Sequence, residues 1–209
     1  MKDDKAGEIR EEINGTTTIG IKTDDGIIIA ADTKVSKFIS TSKKDISKIL
    51  PIHSKAAMTM AGVVGHAQRI HDEIKNKAKL YESRRGREMP IKSITYSMRE
   101  IFNKDHYHVA PIVAGVDENG GHLYEVGSAG SIINYDDYTS TGSGNTYAIG
   151  VLEQEYNKDM SLNEGKELAL NAIKTAKERD NFTGNGFMIC VITKDGLKTH
   201  KFDEMPDEI

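Results

Sequence analysis

The chain has 209 residues, 37% of them hydrophobic and 29% charged, which suits one soluble domain with a sizeable core. Its net charge of −4 leaves no basic footprint for nucleic acid. A single cysteine, Cys190, excludes an internal disulfide and a cysteine-rich metal cluster, and it fits a reducing, cytoplasmic setting.

No apolar run approaches the roughly 18 residues that span a membrane. Residues 1–14 hold three basic and five acidic residues and no apolar centre, so they are not a secretory signal. They read either as a polar tail or as a propeptide. The run Gly15-Thr16-Thr17-Thr18-Ile19-Gly20 follows. Cleavage between Gly15 and Thr16 would give Thr16 a free α-amine beside its own hydroxyl, a nucleophile and a base in one residue.

Residues 16–22 alternate loosely and predict a strand; Asp24-Asp25-Gly26 predicts a turn, and the apolar run 27–31 a strand buried on both faces. Residues 37–45 are mostly polar and predict loops or short strands. Residues 48–52 and 56–61 predict two more strands. After Gly62, Val63, Ala67, Ile70, Ile74, Ala78 and Tyr81 fall at helical spacing, closed by Arg84-Arg85-Gly86. Pro90 opens a second helix with the stripe Ile91, Ile94, Met98, Ile101 and Phe102.

Strands are predicted over 109–116 and 122–126, a small-residue loop over 139–145, and a short helix over 147–156. Ser161 and Glu164 form a capping box that starts a last helix with the stripe Leu168, Ala169, Ala172, Ile173 and Ala176. A buried strand over 187–193, a turn and a short segment over 198–202 complete the chain. The order is strands, two helices, strands, two helices, strands. Short turns favour antiparallel pairing, so the expected class is α+β: two antiparallel sheets between two helix layers.

Several weaker signals carry no function. Gly142-Ser143-Gly144 starts like a dinucleotide fingerprint, but Tyr147 stands where the third glycine belongs. His66 with His71, and His106 with His108, lack a convincing third metal ligand. Cys190 sits in an apolar strand and reads as core.

An N-terminal threonine nucleophile needs a group to lower the proton affinity of its hydroxyl, a neutral amine, an oxyanion donor and a polar network around the amine. Asp32 ends the buried 27–31 run, where a carboxylate demands a partner; alone it could be a strand-end cap. Lys48 precedes Ile49-Leu50 and alone could be a surface lysine. If both face Thr16, they pair, and the lysine charge lowers the pKa of the hydroxyl and the amine. Gly62 stands where a strand becomes a helix, a place for an oxyanion-binding N–H or simply a turn.

With these residues in place, the chain resembles β subunits of the proteasome core particle, of archaeal or bacterial-like type. The matching stretches are residues 15–21, 27–32, 48–50, 60–68, 140–144, 150–153 and 176–180, spread over nearly all of residues 16–193 in family order. The resemblance implies an N-terminal nucleophile hydrolase with a four-layer αββα sandwich. Residues 1–15 would be a propeptide removed by self-cleavage at Gly15-Thr16, and residues 16–209 the catalytic domain. Thr16 would be the nucleophile, Asp32 and Lys48 its activating pair, and Gly62 the oxyanion donor. Ser143, Asp180 and Thr183 would surround the amine, with Thr183 standing where the family often has serine.

By the same resemblance, Val35, Ile46, Met60 and Val64 line the first specificity pocket, or else belong to the core, and Ser36 supports the bound peptide as an added strand. An apolar pocket with a methionine implies cleavage after hydrophobic residues. No metal or organic cofactor is implied. The expected partners are α subunits and other β subunits in stacked heptameric rings, a regulatory ATPase acting through the α rings, and unfolded polypeptide as substrate. Three relatives of the same fold are alternatives: a non-catalytic β subunit, a double-hexamer ATP-dependent peptidase, and a small-molecule amidase. The Gly15-Thr16 junction with Asp32 and Lys48 argues against the first, and the helix start at 150–153 against the second.

Overall fold

The computed structural model describes residues 13–34 and 47–209. Its first sheet contains β2 (Thr17–Thr23), β3 (Gly26–Asp32), β10 (Tyr138–Gly142), β11 (Phe187–Thr193) and β12 (Gly196–Phe202), in the order β10-β2-β3-β11-β12. The second contains β4 (Ile49–His53), β5 (Ala56–Thr59), β7 (Ile112–Asp117), β8 (Gly120–Val126) and β9 (Ile132–Tyr135), in the order β4-β5-β7-β8-β9. Each neighbouring pair in both sheets is antiparallel.

Four helices among the described residues cover the outer faces. These are α1 (Val64–Arg85), α2 (Ile91–Phe102), α3 (Asn145–Glu155) and α4 (Leu162–Arg179). Three apolar cores lie between the four layers. Ile28, Ala30, Phe187 and Ile189 pack with Leu168, Ala172 and Ile173 under α4. Ile27, Ile29, Met188, Cys190 and Ile192 turn the other way and meet Ile49, Ile112, Ala114 and Leu123 of the second sheet. The third core holds Met58 and Val113 against Ile70 and Ile74 of α1 and Ile91, Ile94, Met98 and Phe102 of α2.

Period-two alternation therefore feeds two cores at once from β3 and β11, which is why both read as unbroken apolar runs. The α2 stripe is fully or almost fully buried, and each such side chain contributes about 1.5–3 kcal/mol. This is the αββα sandwich expected from the sequence.

Local chemistry sets the helix limits. The Gly86 N–H closes α1 on the Glu82 carbonyl at 2.8 Å. Pro90 leads into α2, whose first N–H, on Ile91, donates to the Asp117 carboxylate of β7 at 3.0 Å. The capping box of α4 is complete: the Glu164 N–H donates to Ser161 Oγ, and the Ser161 N–H to Glu164 Oε2. No helix among the described residues is long and apolar enough to cross a membrane.

Besides the edge strand β9, which the sequence reading does not predict, two features depart from it. The stretch expected as a small-residue loop contains β10, which pairs with β2 from Tyr138↔Ile21 to Gly142↔Thr17. Its polar residues stay in a buried strand because their hydroxyls are bonded. Thr141 bonds Thr18 at 2.8 Å and the Ala110 carbonyl at 2.9 Å, and Ser140 donates to the Thr18 carbonyl at 2.9 Å. The second feature is a two-stranded pair of β1 (Ile13–Asn14) with β6 (Gly62–Val63), in the register Ile13↔Val63 and Asn14↔Gly62.

Candidate active site

Three successive threonines at the start of the first sheet go to three different tasks. Thr16 lies just before β2, 2% exposed, and its hydroxyl donates to Asp32 Oδ1 at 2.7 Å. Thr17 donates its N–H to the same oxygen at 2.9 Å. Thr18 joins the two sheets through Thr59, at 3.1 Å, and also bonds Thr141 within its own sheet.

Asp32 ends β3 and is wholly buried, so its charge requires compensation. Oδ1 also accepts from Lys48 Nζ at 2.9 Å. Oδ2 accepts the N–H groups of Lys34 and Gly184, each at 3.0 Å. Lys48 is 2% exposed and donates to Thr16 Oγ1 as well as to Asp32. Burial pushes the Lys48 ammonium below the usual lysine range, while the charges of Asp32 and, more weakly, Asp180 oppose that shift. The Thr16 hydroxyl therefore sits between a carboxylate that accepts its hydrogen bond and a lysine that donates to its oxygen.

A second network surrounds the Thr16 nitrogen. The chain is continuous through Gly15 and Thr16, so this nitrogen is an amide, and its N–H donates to Ser143 Oγ at 3.1 Å. Ser143 donates to Asp180 Oδ2 at 2.5 Å, and Thr183 donates to the same oxygen at 2.6 Å. Thr17 Oγ1 lies 2.6 Å from Thr183 Oγ1; because the Thr183 proton is committed to Asp180, Thr17 is the donor. The Phe182 N–H donates to Asp180 Oδ1 at 3.1 Å.

Gly62 lies beside this centre, two residues before α1. Its φ of +117° is a conformation that L side chains rarely adopt, and a Cβ there would stand 2.2 Å from the His108 carbonyl oxygen. Residues 108–110 flank residues 61–63 on one side: Val63 N–H donates to His108 O at 2.8 Å, and Ala110 N–H to Ala61 O at 2.9 Å. On the other side, Gly62 pairs with Asn14, one residue before Gly15. The segment that precedes the junction thus lies as an antiparallel strand beside Gly62.

The proteasome subunit family model matches residues 13–192, from β1 to the end of the last buried strand. The chain belongs to the proteasome subunit family. It is 40% identical over 208 residues to a proteasome subunit beta of Haloquadratum walsbyi, covering 98% of this chain and 85% of the relative. A proteasome subunit beta of Haloferax volcanii is 42% identical over 195 residues, 93% of this chain and 79% of its own. One from Methanosphaera stadtmanae is 40% identical over 195 residues, 93% of this chain and 95% of its own.

Within this proteasome subunit, Thr16, Asp32, Lys48, Ser143, Asp180 and Thr183 form one connected hydrogen-bonded cluster, with Gly62 beside the preceding strand. Of the expected pocket residues, Met60 is 3% exposed and packs in the core under α1 and α2, and Val64, the first residue of α1, is partly buried against that core. Val35, Ser36 and Ile46 lie outside the described residues. Sequence reasoning missed Thr17 and the N–H groups of Lys34, Phe182 and Gly184. The threonine run pointed toward Thr17; main-chain donors leave no trace in residue type.

Proposed function

We propose that Thr16 becomes the nucleophile of this proteasome subunit when the chain cleaves itself at Gly15–Thr16, residues 1–15 being a propeptide and residues 16–209 the catalytic domain. The chain is a β subunit of the proteasome core particle and a threonine endopeptidase. The observation that carries the proposal is the Thr16 hydroxyl, 2.7 Å from Asp32 and bonded by Lys48.

In self-cleavage, Thr16 Oγ attacks the Gly15 carbonyl carbon. The C–N bond breaks, a C–Oγ ester forms, and the hydroxyl proton ends on the released amine. One water then hydrolyses the ester and frees the fragment 1–15. The new amine titrates near pH 8 in an ordinary environment; Ser143 and Asp180 hold it, and it serves as the base for later substrates. For these, Thr16 Oγ attacks the substrate carbonyl, the Gly62 N–H receives the oxyanion, and water releases the acyl fragment.

The core particle assembles from α and β subunits. In our reading the rings are heptameric and stacked, a regulatory ATPase acts through the α rings in the cytoplasm, and the substrate is unfolded polypeptide. Met60 and Val64, with Val35 and Ile46, favour cleavage after hydrophobic residues. The test is the intact mass of the chain in assembled particles, together with hydrolysis of fluorogenic peptides ending in a hydrophobic residue. The expected result is a chain starting at Thr16 and an active particle. A Thr16→Ala chain that is still cut, or still active, overturns the reading.

A further inference from the structure

A Cβ added to Gly15 would lie 2.0 Å from Phe182 Cβ, 2.5 Å from Phe182 Cγ and 3.0 Å from Ser143 Oγ. Gly15 is not among the glycines at positive φ. Its backbone therefore accepts other residues, and only the space beside it does not. The obstacle is a Cβ rather than the far end of a side chain, so rotation of the Phe182 ring does not remove it.

Nor can the loop that carries Phe182 withdraw easily, because it is tied at four successive residues. Lys34 Nζ donates to the Asn181 carbonyl at 2.5 Å, and the Phe182 N–H donates to Asp180 Oδ1 at 3.1 Å. The Thr183 N–H donates to the Asp180 carbonyl at 3.1 Å, and the Gly184 N–H to Asp32 Oδ2 at 3.0 Å. Two of these ties end on Asp32 and Asp180, the carboxylates of the site. Displacing Phe182 thus disturbs both networks that hold Thr16.

We propose that Phe182 is the specificity-determining residue of self-processing: it restricts the residue before Thr16 to glycine. This rests on the self-cleavage reading above. A side chain at position 15 is pushed off Phe182 and Ser143, and the scissile carbonyl moves with it. A misplacement of about 1 Å at a reacting centre can cost about 100-fold in rate. Phe182 takes no part in the chemistry; it decides which junction is presented to it.

The test uses the full chain co-produced with the α subunit, with the fraction starting at Thr16 followed over time by intact mass. Gly15→Ala is expected to slow cleavage at least about 100-fold. Phe182→Gly alone cleaves like the parent. The double variant Gly15→Ala/Phe182→Gly recovers to within about 10-fold of the parent, because the 2.0 and 2.5 Å overlaps with Phe182 are gone and the approach to Ser143 is 3.0 Å. Phe182→Ala keeps the Cβ and does not rescue Gly15→Ala. Chains made with Thr16 as first residue check that the loop survives: Phe182→Gly retains peptide hydrolysis there. The proposal is overturned if Gly15→Ala cleaves at the parent rate, if the double variant stays as slow as Gly15→Ala, or if Phe182→Gly alone blocks cleavage. An uncut parent chain instead overturns the self-cleavage reading itself.

Discussion

Asp32 and Lys48 form an ion pair of 2.9 Å in which neither side chain is more than 3% exposed. A buried pair of this kind is held by what surrounds it. Asp32 collects three further N–H donors and a hydroxyl, which offset the loss of water around its charge. Removing one member leaves the other buried without its counter-charge. Asp32→Asn and Lys48→Ala are each expected to destabilise the chain by about 3–5 kcal/mol and to abolish cleavage at Gly15–Thr16. Denaturant unfolding and intact mass read the two effects. Unchanged stability would show that the pair carries no such role.

Ser143 accepts from the Thr16 nitrogen and donates to Asp180. Ser143→Ala should leave the fold nearly unchanged yet slow peptide hydrolysis by about 100-fold or more, the usual scale for losing a proton-handling contact. The measurement uses a chain made with Thr16 as its first residue, so that turnover is separated from maturation. Full activity there would remove Ser143 from the mechanism.

Thr183 tests whether the hydroxyl or the methyl matters. Its hydroxyl donates to Asp180 and accepts from Thr17, in a site 3% exposed. Thr183→Ser keeps both bonds and should retain activity within a few-fold. Thr183→Val keeps the shape but orphans Thr17 Oγ1 and one carboxylate oxygen bond, at a cost of about 1–3 kcal/mol. A thermal melt of the two variants side by side separates these outcomes.

Gly62→Ala combines a left-handed backbone with a Cβ 2.2 Å from a main-chain oxygen. The strain is about 1–3 kcal/mol before the strand beside it moves. Residues 61–63 should shift away from residues 108–110, and cleavage should fail even if the particle assembles. Native mass spectrometry with intact mass reports both.

The acid limit of stability should depend on Asp117. Burial raises its pKa, but the N–H groups of Asn119 and Ile91 and the contact with His122 outweigh that, so the carboxyl titrates below its ordinary 3.8. A carboxyl with a depressed folded pKa contributes stability that is whole above 3.8 and lost as pH falls through the lower folded value. Asp117→Asn should therefore flatten the stability profile below pH 3.8 and, above it, cost about 1 kcal/mol through the weakened start of α2.

The parts of the fold that were legible were those whose pattern is local. The 27–31 run, the α2 stripe and the Ser161–Glu164 box each state their structure within a single helix or strand. β9 was missed because its burial alternates weakly at a sheet edge, and β10 because hydroxyl residues normally mark loops. Its burial depends on Thr18 and Ala110, far away in sequence. The same distinction holds at the site. Asp32 and Lys48 were visible as charges in apolar surroundings, and Gly62 as a break between strand and helix. Phe182 is 50% exposed and looks ordinary until the fold brings residue 15 against it.

The strand Ile13–Asn14, bonded beside Gly62–Val63 just ahead of the Gly15–Thr16 junction, has a practical consequence. On the self-cleavage proposed above, every active centre that forms releases one N-terminal fragment, and a centre that never forms releases none. The molar amount of that fragment is thus an internal count of competent sites in a population of particles. Dividing a measured peptide-hydrolysis rate by this count gives turnover per working centre, independent of how many subunits were made.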